Sequence, residues 1–379
     1  MVILKKNKFF IPILIILIFV ISFMGTKGEL VENLQIPVGV GCDIEKTSSS
    51  TTYIVPILMH SFESGNKIVS NVLTGEGSTV GKTRESRQLK SSKKFLLGIN
   101  RIYIFSEEAS RNGIKNFIDI ILNNANTNDR ALSVVCKGKV EDIFKYNVKG
   151  YASSAEYIYE MVKNLNQFNF FPSQYTIMDI IVRIDAEGRN TLLPYVEIAG
   201  DENSGGEGTL IKTTGVAIFN KDKMIAKTDV KEAKIINLLK ENNVKGILTL
   251  QQNSKKYIDF YATSKRKVKC YRENGNYKFI INLDLKGDII SNELYKNMYK
   301  SPKDIQEFEQ NTEKLVVEMC NKTISQIKNK YKVDILDLGR VAAAKYGRET
   351  GTDWNEVISK SDIQVNVKVK VDTQGRGEY

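Results

Sequence analysis

The chain has a single histidine and contains neither a G-x-S-x-G nor an H-E-x-x-H segment, so the signatures of nucleophile-elbow hydrolases and of helical zinc proteases are missing. His60 closes the apolar-rich run Tyr53–His60 with no His or Cys near it in sequence, and is read as a strand residue rather than a base or a metal ligand. Only four cysteines occur, Cys42, Cys136, Cys270 and Cys320. They are far apart and form no C-x-x-C pair, which argues against zinc and thioredoxin-like chemistry and leaves a disulfide among them open. Beyond the N-terminus no second long apolar run is found, and no repeats or low-complexity segments stand out.

What is present is cationic. Lys plus Arg number 55 against 44 Asp plus Glu in 379 residues, a formal charge of +11, which draws a surface toward anions such as lipid headgroups or nucleic acid. In a chain also rich in Asn and Ile, most of these lysines are read as solvated. Residues 1–24 carry a basic head, Lys5, Lys6 and Lys8, ahead of the apolar run Phe9–Met24, the pattern of an export signal. The run is long for a signal core and short for a spanning helix, so a cleaved signal and a retained anchor both stay open. In either case the basic flank stays inside and the rest is exported.

Strand and helix signals then mix, predicting an α+β chain. Strands are expected at Tyr53–Met59, Ile68–Leu73, Arg101–Glu108 and Ala131–Gly138, with a polar helix near Thr79–Lys90 and an amphipathic one at Ser110–Asn126 carrying Ile114, Phe117, Ile118 and Ile121. Residues Ala199–Gly208, four of them glycine, read as a linker. After it come two short strands around Asn220–Lys223, a helix at Val230–Asn243, and strands at Val244–Gln252 and Lys256–Thr263. An Asn-Gly-Asn turn at 274–276 leads into Tyr277, Phe279, Ile281, Leu283 and Leu285 at period two, a sheet with one buried face. A long helix starting at Pro302 and running to about Tyr331 places Ile305, Phe308, Leu315, Val316, Met319, Cys320, Ile324 and Ile327 on one stripe. Val365, Val367, Val369 and Val371 form a last, half-exposed strand whose lysines discourage edge aggregation.

One stretch imitates a phosphate-binding loop: "LTGEGSTVGKTRES", Leu73–Ser86. Gly81-Lys82-Thr83 requires its first glycine at position 76, which is Glu76, with Gly75 and Gly77 one place to either side. The spacing fails, and the segment lies beyond an export signal, so no nucleotide is expected; Ser78 or Thr79 is read as the cap of the following helix. Acid pairs such as Glu107/Glu108 and Asp334/Asp337 carry little information in a chain with this many acids and are read as solvated. The one dense basic patch, Ser264–Arg272, lacks interleaved aromatics, so no nucleic acid is expected either, and an anionic membrane surface suits it better. No residue is assigned a catalytic, cofactor-binding or metal-ligating role, and no cofactor is expected.

Several blocks in order resemble the Ger(x)C-type spore germination proteins, the C subunits of spore germinant receptors. They are "GEGSTVGKTRESRQLKSSKKFLLGINRIYIFSEEASRNGI", "TLLPYVEI", "GVAIFNKDKMIAKTDVKEAKIINLLKE", "YKVDILDLGRVAAAKYG", Trp354 in "DWNEV", and "VNVKVKVDTQG". The resemblance implies a non-enzymatic, mixed α+β protein of about three domains, with antiparallel sheets and packed helices. Residues 25–198 would be the N-terminal germination-protein region, in two subdomains, 199–208 the linker and 209–375 the C-terminal domain. It further implies polytopic A- and B-type membrane subunits as partners, and a place on the extracytoplasmic face of the spore inner membrane. Family members are typically lipoproteins with a cysteine just after the apolar segment; here that position is Thr26, whose hydroxyl cannot take the place of the lipidated thiolate. Cys42 lies too far along, and Gly39 stands where an aliphatic residue is wanted. No lipid attachment residue is therefore assigned, and a retained Phe9–Met24 helix would reconcile membrane attachment with Thr26. Asn100 stands where the family commonly has His. The rival reading is an exported solute-binding protein or hydrolase.

Overall fold

The computed structural model describes residues 10–23, 34–63, 67–124, 126–172, 175–200, 209–295, 298 and 301–373. Helix α1 (Phe10–Phe23) is followed by β1 (Leu34–Lys46), β2 (Thr51–Glu63) and β3 (Lys67–Gly77), an antiparallel meander. Then come α2 (Val80–Gln88), β4 (Lys94–Phe95), β5 (Ile102–Ser106), α3 (Glu107–Asn112), α4 (Lys115–Leu122), β6 (Leu132–Cys136), α5 (Val140–Lys145), α6 (Ser154–Asn164), α7 (Ile177–Ile184), β7 (Leu192–Gly200), β8 (Thr209–Asn220) and β9 (Lys223–Lys227). These strands build one nine-stranded sheet in the order β3-β2-β1-β5-β6-β7-β8-β9, with β4 beside β1.

Its centre is parallel: β1–β5, β5–β6 and β6–β7 all run the same way. The reason is connectivity, since parallel neighbours need crossovers of a dozen or more residues, and α3–α4 and α5–α7 supply them between β5, β6 and β7. The expected antiparallel sheets are therefore present and flank a parallel middle that local periodicity did not announce. Strand β5 stops at Ser106, whose hydroxyl caps α3 by accepting from Ala109 N, so Glu107 and Glu108 lie in a first helical turn rather than at a strand end. The helix expected over Ser110–Asn126 is broken at Gly113, φ +117°, and α4 buries Phe117, Ile118 and Ile121.

Ala199 and Gly200 belong to β7 and pair with Leu210 and Thr209 of β8; the remainder of the expected linker, 201–208, lies outside the described residues. The two strands that flank it are thus neighbours in one sheet, which continues past residue 209 into β9.

The second sheet is β10 (Lys245–Asn253), β11 (Lys256–Glu273), β12 (Asn276–Asn292) and β13 (Asp362–Thr373), in that order. Asn274 (φ 49°) and Gly275 (φ 81°) turn β11 into β12, as an Asn-Gly pair does where both central residues need positive φ. Phe279, Ile281, Leu283 and Leu285 are buried as their alternation demands. Helix α9 (Pro302–Gln326) continues as a π-helical turn to Tyr331 and ends at the left-handed Lys332. It buries Phe308, Val316, Cys320 and Ile324, and the Phe308 ring meets Phe260 edge-on at 5.7 Å. Its outer face reaches the free edge of β13: Glu309 and Glu313 accept from the backbone N–H groups of Val371 and Val369 at 3.0 and 2.9 Å, so the edge is covered as well as charged. Helix α8 (Val230–Lys240) lies where β8, β11 and α9 meet, and α10 (Leu338–Tyr346) and α11 (Trp354–Lys360) lie between the π-helical turn and β13.

Candidate functional site

The densest polar centre forms where the loop between the π-turn and α10 enters the junction of the two sheets. Asp334 is fully buried, and its carboxylate accepts from Leu338 N at 3.0 Å and Gly339 N at 2.6 Å, so it holds the start of α10. Asp337, in the left-handed region (φ 54°), divides its oxygens between two cations from distant elements: Lys240 Nζ of α8 at 2.7 Å and Arg183 Nη1 of α7 at 2.8 Å. Arg266 of β11 donates to the carbonyl of Leu336 at 2.9 Å. From the other side Asn190 donates to the carbonyl of Asp334 at 3.1 Å, while the Asn355 side-chain oxygen accepts from Asp334 N at 2.9 Å. Gly188 (φ 64°) lies so close that a Cβ there would stand 2.3 Å from Arg340 N, which only glycine tolerates.

The electrostatics follow from burial. Desolvation, then the neighbouring Asp337, push the Asp334 carboxyl up to about 7, against the pull of the two backbone N–H groups. Burial would raise Asp337 as well, but Lys240 and Arg183 outweigh it and hold that carboxyl below its ordinary value. Asp337 is therefore the ionised partner, and it answers both Lys240 and Arg183, the condition under which buried ions are tolerated. Trp354 Nε1 donates to Glu187 Oε1 at 2.8 Å beside this centre, tying α11 to the segment after α7.

A cavity of about 550 Å³ opens next to Arg183 and Lys240. Tyr175, Thr191 and Asn237 line it, 5%, 3% and 1% exposed; the Thr191 hydroxyl has no hydrogen-bond partner among the described residues, and the Tyr175 hydroxyl faces the Asn237 amide. Burial, then Glu241, keep Tyr175 protonated, with the adjacent Asn237 amide opposing. With Arg183 and Lys240 committed to Asp337, the remaining charged groups of the cavity lining are Asp179, Glu241 and Lys245, beside neutral hydroxyl and amide groups.

The residues singled out by sequence are dispersed. His60 is a buried residue of β2, its ring pushed toward the neutral form by desolvation. All four cysteines are buried free thiols; burial raises Cys270 to about 11 and Cys320 to about 12. Gly75 and Gly77 are residues of β3 rather than a turn, and Thr79 caps α2 by accepting from Lys82 N. A Cβ on Gly75 would lie 2.1 Å from the Thr83 carbonyl oxygen, so these glycines let α2 fold back against the strand. Glu107 is held down to about 2: burial raises it, and hydrogen bonds from Tyr195, Arg111 and Lys227 more than reverse that, while Glu108 is exposed. The basic patch Ser264–Arg272 lies in β11, where Arg266 turns inward to the joint. Thr26 lies outside the described residues.

The Asp334/Asp337 pair is the largest correction to the sequence reading: both are buried rather than solvated. A capping signal was available in two acids just ahead of the Leu338 helix, but nothing local named Arg183 or Lys240 as partners.

Fold and joint together define a mixed α+β protein whose polar centre ties two sheets together. The spore germination protein N-terminal domain matches residues 28–198, and the C-terminal domain described as spore germination B3/GerAC-like matches residues 214–375. The chain belongs to this family, the Ger(x)C-type spore germination proteins. It is 22% identical to spore germination protein GerQC of Bacillus cereus over 377 residues, 97% of this chain and 99% of that one. To spore germination protein A3 of Bacillus subtilis (strain 168) it is 21% identical over 265 residues, 69% of this chain and 68% of that one. The crystal structure of the GerBC protein shares the fold, with a TM-score of 0.55 at 15% identity over 88% of this chain and 97% of that one.

Proposed function

We propose that this protein is the extracytoplasmic, membrane-associated C subunit of a nutrient germinant receptor, required to trigger spore germination. The observation that carries the reading is the presence of both germination domains, in order, over residues 28–198 and 214–375. In this role it acts without chemistry of its own, with polytopic A- and B-type subunits, on the outer face of the spore inner membrane. The buried acids support a non-catalytic role because each is spent on backbone N–H groups or paired cations rather than aimed at a reacting atom. The working division is residues 25–198 and 209–375, with the joint at Asp337 holding the two regions in register.

Attachment through the N-terminal segment is supported by α1, apolar apart from Ser22, whose hydroxyl is satisfied by the Ile18 carbonyl at 2.8 Å. Its 14 residues rise about 21 Å, and no described helix is long and apolar enough to cross a membrane.

Release of dipicolinic acid from spores lacking the gene tests the proposal, with nutrients and a receptor-independent stimulus applied separately. Loss of the nutrient response alone, restored by the intact gene, is expected. An unchanged nutrient response in a strain also stripped of its other receptors overturns it.

A further inference from the structure

The segment that imitates a phosphate loop builds a different kind of anion site. Helix α2 places Val80, Thr83, Arg84, Arg87 and Gln88 along one face at helical spacing, and with β1, β2, β5 and α4 this face encloses a cavity of about 390 Å³. Its walls are mainly apolar: Val40, Val55, Ile57, Phe117 and Ile121 from the sheet and α4. Two features of the lining do not suit an apolar core. Arg87 is 6% exposed, yet its guanidinium donates only to the Val55 carbonyl at 3.0 Å and the Thr83 hydroxyl at 3.1 Å; no carboxylate pairs with it among the described residues. Asn100 is 1% exposed; its amide oxygen has no partner among the described residues, and its amide nitrogen faces only the Tyr103 hydroxyl.

A buried cation without a counter-ion and a buried amide whose oxygen is unanswered are costly arrangements. Here both line the same cavity, whose lining contains no acidic residue and whose mouth adds Arg84, Lys93 and Lys94. The positioning is built in, because Gly75 has no Cβ: one there would sit 2.7 Å from Arg87 Cγ and 2.9 Å from its Nη1.

We infer that this cavity binds an amphipathic anion, one acyl chain carrying a negatively charged head. The chain lies against the apolar wall, and the head is received by Arg87 and Asn100, with Arg84 at the entrance. The size falls near the lower end of small-molecule pockets, roughly 300–1,000 Å³. Apolar walls with a few convergent polar groups are what such a ligand requires. A free fatty acid and an anionic phospholipid both present this chemistry.

The test uses the full chain in a bulky-headed non-ionic detergent, titrated with dodecanoate, with dodecanol as the neutral match, and with lysophosphatidylglycerol. Dodecanoate is expected to saturate at one molecule per chain, about tenfold or more tighter than dodecanol, the increment of one charge-assisted hydrogen bond. Arg87→Met is expected to remove that difference while leaving dodecanol binding unchanged. Arg84→Gln, on the exposed side, should weaken dodecanoate about threefold, and it covers the case in which Arg87→Met fails to fold. Binding of lysophosphatidylglycerol assigns a lipid source, and binding of dodecanoate alone assigns a free acid; either supports the site. Equal affinity for dodecanol and dodecanoate, or dodecanoate binding indifferent to both substitutions, overturns it.

Discussion

Two buried cationic sites in one chain are solved in opposite ways. At the joint, Lys240 and Arg183 converge on Asp337, and both carboxylate oxygens are used. Under α2, Arg87 is equally buried but meets only a carbonyl and a hydroxyl. The first arrangement is closed: removing Asp337 leaves two cations unanswered. The second is open, and closes only when an anion arrives from outside. Neutralising Asp337 should therefore be far costlier than neutralising Arg87, although both are buried ions.

The largest effect is expected from Asp337→Asn. Asparagine accepts the left-handed backbone at this position, so the substitution removes charge and little else, leaving Lys240 and Arg183 facing each other in a buried site. Breaking one partner of such a pair costs about 3–5 kcal/mol, read as a lower urea midpoint at unchanged slope. Adding Lys240→Met should recover part of the loss, since it removes one of the stranded cations. A loss below about 1 kcal/mol for Asp337→Asn would dissolve the contrast between the two sites.

A smaller effect separates the two acids of the joint. Asp334 titrates at about 7 in the folded protein, raised from an ordinary 3.8, so the fold holds its proton more tightly than the unfolded chain does. Its contribution to stability is complete below about pH 4 and is lost as the pH climbs through 7. Asp337, held below its ordinary value, behaves oppositely: its contribution is present above that value and lost on acidification. Asp43, raised to about 6, adds a slope that stays in both proteins and cancels in the comparison. The stability difference between wild type and Asp334→Asn should thus shrink between pH 4 and 8, by about 1–3 kcal/mol. Denaturant titrations at a series of pH values read this directly; a difference that stays flat or rises over this range would mean that Asp334 is ionised throughout.

How much of this was legible in the sequence depends on how far apart the partners lie. The β11–β12 hairpin and the α9 stripe were readable because the Asn-Gly turn and the alternating or 3.6-residue spacing are local features. The mixed α+β class followed from those same signals. The parallel centre of the large sheet was not readable, since pairing of β1 with β5 and of β6 with β7 is settled by which helices cross over. Asp337 looked like a solvated acid because its partners are 154 and 97 residues away. Gly75 and Gly77 lie in β3 rather than in a turn, and what they do, letting α2 approach β3 closely enough to position Arg87, is visible only in three dimensions. Asn100 had no derivable role in the sequence, and acquires one from the cavity that it lines.

The smallest effect is the most diagnostic. Arg87→Met in the ligand-free protein removes two hydrogen bonds and, with them, the desolvation penalty of a guanidinium that burial, then Arg84, already push down to about 10. The two terms oppose each other, and replacing a buried ion by a side chain of similar volume is often neutral or stabilising. The urea midpoint should accordingly move by less than about 1 kcal/mol in either direction. With dodecanoate present the wild type should gain stability by mass action and the variant should not, so a gap absent in the apo proteins opens with ligand. A loss of 3 kcal/mol or more without ligand would show that Arg87 is answered from within the chain, and the two sites would then be of one kind.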